Sequence, residues 1–143
     1  MSDFRLEEFL PYQLAILSMK VSEGFARIYK EKFGISVAEW RVLAHLSQDE
    51  KVSIREIHCR VRMDKSKTSR AAARLEKAGY VTKRENRCDR RLVELALTES
   101  GRALVDEIAP LGMEYQARVL EALPEPERTE FRQAVVALLE QFE

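Results

Sequence analysis

The sequence predicts a mainly α chain with a small β component (α+β): a helix-turn-helix, then a two-stranded hairpin, flanked by long amphipathic helices. Three observations point there. Ser-x-x-Glu capping boxes stand at Ser36–Glu39 and Ser53–Glu56, and Asp64 offers a further helix cap. Two strand-like runs, Tyr80–Arg84 and Leu92–Leu97, enclose a tip rich in arginine. Between Lys51 and Arg91 lie 14 Lys and Arg against 5 Asp and Glu, a local charge of +9. The whole chain holds 24 of each, so the remainder sums to −9. A neutral protein that concentrates positive charge in one compact stretch presents that stretch to an anion.

The first helix is expected from about Glu8 to Lys32. Leu14, Leu17, Val21, Phe25 and Ile28 recur at helical spacing, and Gly34 closes it. The second opens at the Ser36 box and runs to about Ser47, with Trp40, Leu43, Ala44 and Leu46 inward and Ile35 stapled to Trp40. The third is short, about Ser53 to Arg60, with Val52 and Ile57 as its staple and Ile54, Ile57 and Val61 inward. Cys59 falls inside it and reads as a small buried apolar residue.

Arg62-Met63-Asp64 then forms a turn, and a fourth helix runs from about Lys65 to Ala78, stopped by Gly79. Thr68, Ala72 and Leu75 face inward, and Lys65, Ser66, Lys67, Ser69, Arg70 and Arg74 face outward. Two helices joined this way, the second basic and polar on its outer face, form the helix-turn-helix layout. There the second helix reaches base edges in the major groove, where Arg, Lys and Ser make the contacts. A solvated basic face is the plainer alternative. The hairpin tip carries Arg87, Arg90 and Arg91, and arginines so placed can enter a minor groove and read its width. Thr98 caps the next helix, expected from Glu99 toward Ala122 with a disturbance at Pro110–Gly112. A last helix starts at Pro124 and carries the stripe Phe131, Val135, Leu138, Leu139 and Phe142. The simplest partner for these apolar faces is a second copy of the chain.

At 143 residues the chain is read as one domain. No apolar run approaches the roughly 18 residues that span a bilayer, and no signal peptide is evident, so no membrane partner is expected. Two cysteines, Cys59 and Cys88, and two histidines, His45 and His58, have no ligand spacing, so neither a metal nor any other cofactor is expected. Few cysteines suit a cytoplasmic protein. No catalytic residue is assigned: nucleophile elbow, phosphate loop and paired carboxylates are all lacking, so an enzyme is not expected.

The chain resembles the MarR family of winged-helix regulators. The residues that carry the likeness are Met63-Asp64-Lys65-Ser66, Arg74-Leu75-Glu76-Lys77-Ala78-Gly79-Tyr80-Val81, and Asp89-Arg90-Arg91-Leu92-Val93-Glu94-Leu95-Ala96-Leu97-Thr98 followed by Glu99-Ser100-Gly101. Upstream, Ala38-Glu39-Trp40-Arg41-Val42-Leu43 also fits the family's second helix. The resemblance covers essentially the whole chain. It implies a winged helix-turn-helix lobe over 36–98 and a helical dimerisation region over 1–34 and 99–143. It further implies a homodimer on a pseudo-palindromic site in double-stranded DNA, a repressor released by a small molecule of aromatic or acyl type. Recognition passes to Lys65–Arg74 and the wing to Glu85–Arg91. Asp89 orients an arginine into the minor groove, with Arg90 and Arg91 both available. Tyr12, Met19, Trp40 and Met113 are the candidate lining of an effector pocket.

Some family members sense peroxide with a cysteine in the first helix, and this chain has none there. Cys88 sits among Arg87, Arg90 and Arg91, where an inert thiol and a redox switch are both open. A second reading of the whole is a winged-helix protein-interaction module that lacks sequence-specific DNA binding.

Overall fold

The structure, a computed structural model, describes residues 3–49 and 51–143; Met1, Ser2 and Glu50, which fall within the stretches read above, lie outside the described residues. The described residues form six α-helices and three strands. In order these are α1 (Leu10–Phe33), α2 (Val37–Leu46), β1 (Val52–Ser53), α3 (Ile54–Val61), α4 (Lys65–Lys77), β2 (Val81–Glu85), β3 (Val93–Leu97), α5 (Glu99–Leu120) and α6 (Glu125–Gln141). A 3-10 turn, Leu6–Glu8, precedes α1. Internal contacts divide the chain into two compact units, Met1–Ala109 and Pro110–Glu143.

In the first unit the helix starts follow the caps. Ser36 Oγ accepts from the Glu39 amide at 3.1 Å and donates to Glu39 Oε1 at 2.9 Å, a closed capping box. At α3 Ser53 accepts from the Glu56 amide at 3.1 Å. Asp64 accepts from the Lys67 amide at 2.8 Å and so opens α4. The core gathers around α2, α3 and α4: Val42, Leu43, Leu46, Ile57, Ala71, Ala72 and Leu75 are buried, and so is Thr68, whose hydroxyl donates to the Asp64 carbonyl. The small Ala71 and Ala72 let α4 approach α2 and α3 closely. Leu104, Val105 and Ile108 of α5 complete this core.

The sheet holds one strand more than the hairpin read from sequence. β3 lies in the middle, paired antiparallel to β2 and to the two residues of β1, where Val52 faces Leu95 and Ser53 faces Glu94. The sequence makes Val52 a helix staple. It is buried, but as a strand residue, because a free edge of β3 lies beside the entry to α3. Between β2 and β3, Val81 faces Leu97 and Glu85 faces Val93.

A second departure is Cys59, which is exposed. The buried side of α3 is Ile57 and Val61, four residues apart, and Cys59 lies between them on the other face. A third is Pro110. The α5 helix continues through it, since proline removes one backbone donor and leaves the remaining bonds of the helix in place.

The second unit holds the C-terminal half of α5 and all of α6. Arg128 Nε donates to the carbonyls of Leu120 at 3.0 Å and Leu123 at 2.9 Å, closing the turn between them. No residue of this unit is buried. Phe131, Val135, Leu138, Leu139 and Phe142, the stripe read from sequence, are all exposed.

Candidate nucleic-acid interface

The site grows from the turn before α4. Arg62 takes a left-handed backbone, φ 56°, and reverses the chain. Asp64 then caps α4, while Thr68, Ala71, Ala72 and Leu75 anchor its inner side. The outer side carries Lys65, Ser66, Lys67 and Arg70, all exposed, with Ser69 half-buried. Arg70 Nη1 donates to Ser66 Oγ at 3.2 Å, one turn back, which draws the guanidinium toward the helix N-terminus.

Arg74 is engaged differently. Its Nε donates to Glu39 Oε1 at 3.1 Å, on the carboxylate that also closes the Ser36 box. Arg74 therefore ties α4 to the start of α2, although half its side chain stays exposed.

The wing tip is folded by its own side chains. The Asn86 amide donates to the Leu92 carbonyl and closes the hairpin. Asn86 Oδ1 accepts from the amides of Cys88 at 2.8 Å and Asp89 at 3.0 Å. Asp89 accepts three hydrogen bonds from Arg91: from the backbone amide at 3.1 Å, from Nε at 3.0 Å and from Nη2 at 3.2 Å. These bonds hold the Asp89 carboxyl below the usual carboxylate range; the side-chain bond to Arg91 is the largest cause, then its backbone bond, with the charge of Arg55 adding to them. Of the two candidate arginines Asp89 grips Arg91. Arg87 and Arg90 are exposed and make no ion pair or hydrogen bond among the described residues.

Sequence reading missed three groups here. Arg55, exposed in the first turn of α3, acts on Asp89 through its charge. Lys51 lies 3.6 Å from Glu94. Glu94, two residues into the strand-like run, accepts from Asn86 Nδ2. The charge count already contained Lys51 and Arg55. No local signal marked Asn86 and Glu94 as partners, because their meeting depends on hairpin register.

The proposed effector residues are scattered. Tyr12 and Met19 are exposed on α1, and Trp40 stands edge-on to Phe25 at 5.7 Å and 5.9 Å from Tyr29. Met113, exposed, belongs to the second unit. An open groove of about 340 Å³ lies on α6, lined by Arg132, Gln133, Val136, Ala137 and Glu140, and none of the four residues borders it. Among the described residues no three His, Cys, Asp or Glu side chains gather as a metal site, and no helix is long and apolar enough to cross a membrane.

The model of the MarR family matches residues 33–92, the segment that holds α2 to the wing tip. The Escherichia coli (strain K12) transcriptional repressor MprA is 29% identical over 140 residues, covering 96% of this chain and 79% of that protein. Over this segment the chain is similar to the MarR family. The structure of the MarR family regulator SPO1453 from Silicibacter pomeroyi DSS-3 superposes with a TM-score of 0.84 at 26% identity, covering 99% of this chain and all 100% of the other. That of Bordetella bronchiseptica BpsR, whose DNA binding is regulated by 6-hydroxynicotinic acid, gives 0.81 at 22% identity, with 99% and 97% covered. The proteins this chain resembles are named as transcriptional regulators, not as enzymes.

Proposed function

We propose that this MarR-like protein is a homodimeric, sequence-specific repressor of a pseudo-palindromic operator. The lobe over 36–98 meets DNA, and the helices over 1–34 and 99–143 form the dimer. The observation that carries the reading is the outer face of α4. Among the described residues the side chains of Lys65, Ser66, Lys67 and Arg70 make no ion pair or hydrogen bond with a carboxylate, whereas Arg60 and Arg74, elsewhere in the basic stretch, are paired. Such a face suits base edges and phosphates in the major groove, with Ser69 at its margin. Arg91, extended by Asp89, then enters the minor groove, with Arg87 and Arg90 on the flanking phosphates. Arg74 serves as a brace first and a DNA contact second.

The dimer reading is supported by exposed apolar residues on each unit: Phe9, Leu10, Leu14 and Leu17 on the first, Phe131, Leu138 and Leu139 on the second. The repressor reading follows MprA, named a transcriptional repressor. Release by a small aromatic or acyl acid follows the precedent of BpsR, with Tyr12, Met19 and Trp40 as candidate contacts on the first unit. The effector would favour a dimer in which the two α4 helices no longer stand about 34 Å apart, one DNA turn.

Anisotropy titration against the protein's own upstream DNA tests the reading. The Lys67→Ala, Arg70→Ala double variant is expected to lose affinity and to flatten the salt dependence. Wild-type affinity in that variant refutes the placement of α4. A thermal-shift screen of aromatic acids and acyl thioesters tests release: a ligand at 100 times its Kd stabilises by about 2.7 kcal/mol.

A further inference from the structure

The Asn86 side chain bonds the wing turn on one side and the opposite strand on the other. Its side-chain oxygen accepts from two successive amides, Cys88 and Asp89, and so fixes the turn that presents Asp89. Its side-chain nitrogen donates to Glu94 Oε1. The orientation of the amide is chemically determined: both backbone partners are donors and the carboxylate is only an acceptor. Glu94 lies diagonally across the hairpin, two residues beyond the Leu92 that pairs with Asn86. Its side chain is only 17% exposed, and its other oxygen lies 3.6 Å from Lys51 Nζ. A relay thus runs from Lys51, beside β1, through Glu94 and Asn86 to the backbone of Asp89, and from the Asp89 carboxylate to Arg91.

We infer that Asn86 and Glu94 are the positioning residues of the wing: they fix the turn that aims Arg91 at the minor groove. The inference rests on the reading that Arg91 enters that groove. An acidic residue on the strand that follows a block of charge +9 otherwise weakens attraction to DNA. Glu94 spends its charge instead on holding the tip in one conformation before DNA arrives, which lowers the ordering cost of binding.

The test uses the full chain and a duplex selected by the wild-type protein from a random-sequence pool, with a circular-dichroism melt for every variant. Arg91→Ala is expected to weaken binding about tenfold. Asn86→Ala is expected to weaken it several-fold alone and to add nothing in the Arg91→Ala background, since its effect passes through Arg91. Asn86→Asp sets a carboxylate against Glu94 and is expected to behave like Asn86→Ala. Joined to Glu94→Gln it reverses the polarity of the bond, so the pair is expected to recover wild-type affinity. In the free protein, amide exchange at Cys88 and Asp89 is expected to speed up in Asn86→Ala and to stay unchanged in Arg91→Ala.

Wild-type affinity in Arg91→Ala would remove the minor-groove reading and this inference with it. If Arg91→Ala weakens binding but Asn86→Ala does not, the minor-groove reading stands and the positioning role is wrong. An equal loss from Asn86→Ala in both backgrounds, or failure of the double exchange to rescue, also overturns the role. So does unchanged exchange at Cys88 and Asp89.

Discussion

Asp89 and Arg91 stand two residues apart and share three hydrogen bonds, so the carboxylate orients the guanidinium within one turn of chain. Because the Asp89 carboxyl is held low, the grip is present at neutral pH and lost only as pH falls through that lowered value. A carbon-13 titration of Asp89 is expected to show a midpoint below the ordinary aspartate range, moving up in Arg91→Ala. An unchanged midpoint in that variant contradicts the pairing. Gly101 shows a different constraint: a Cβ there meets the Tyr80 carbonyl oxygen at 2.0 Å. Thr98 explains the closeness, because its hydroxyl donates to the Gly79 carbonyl at 2.6 Å and accepts from the Gly101 amide at 3.0 Å. Gly101→Ala must move backbone, and is expected to cost about 1–3 kcal/mol in a urea melt. A cost under about 0.5 kcal/mol, the usual scatter of surface changes, contradicts the contact.

Among the elements, α4 depends most on its cap. Asp64 supplies its N-terminal bond, and Asp64→Ala is expected to lower stability by about 1 kcal/mol. The same change removes a negative charge next to Lys65 and Lys67, so DNA affinity at low salt is expected to rise while stability falls. Parallel losses in both refute the separation of the cap from the contact face. The junction of α2 and α3 carries a pH dependence. Arg60 is clamped by Asp49 and Glu56, both at 2.6 Å. Burial, and then the charge of Arg60, hold His45 below the ordinary histidine range. The unfolded chain therefore takes up a proton that the folded chain refuses. Its contribution to stability is complete above the unfolded value of about 6.5 and is lost as pH falls through the folded value. Urea midpoints are expected to drop between pH 7.5 and 5.5, and to drop less in His45→Gln. An identical pH slope in that variant assigns the effect elsewhere.

For the whole molecule, charge and apolar surface divide along the chain. The basic stretch of +9 holds α3, α4 and the wing, and the acidic remainder holds the exposed apolar residues of α1 and α6. Large exposed apolar residues on a monomer mark an interface. Residues 92–143, which include α5 and α6, hold 11 acidic against 4 basic side chains, a charge of −7 that DNA repels. Sedimentation equilibrium is expected to give twice the chain mass at micromolar concentration. Leu139→Glu is expected to shift the protein toward monomer and to weaken operator binding about tenfold or more, because two linked half-sites are lost. A monomeric wild type with full operator affinity contradicts the dimeric reading.

The capping boxes, the turn composition between the strand-like runs and the charge count made α2, α3, α4 and the β2–β3 hairpin legible from sequence, each within a residue or two. These signals are local: a cap acts over three residues and a helical stripe over two turns. The basic outer face of α4 was legible for the same reason, since α4 buries its other side. Tertiary structure alone decided what depends on distant chain. It drew Val52 into a third strand, turned Cys59 outward and gave Arg74 to Glu39, 35 residues away. It also chose between Arg90 and Arg91 as the partner of Asp89, and joined Asn86 to Glu94 across the hairpin. Composition supplied the charges of this site; hairpin register and helix packing determined which of them are spent on one another and which stay free.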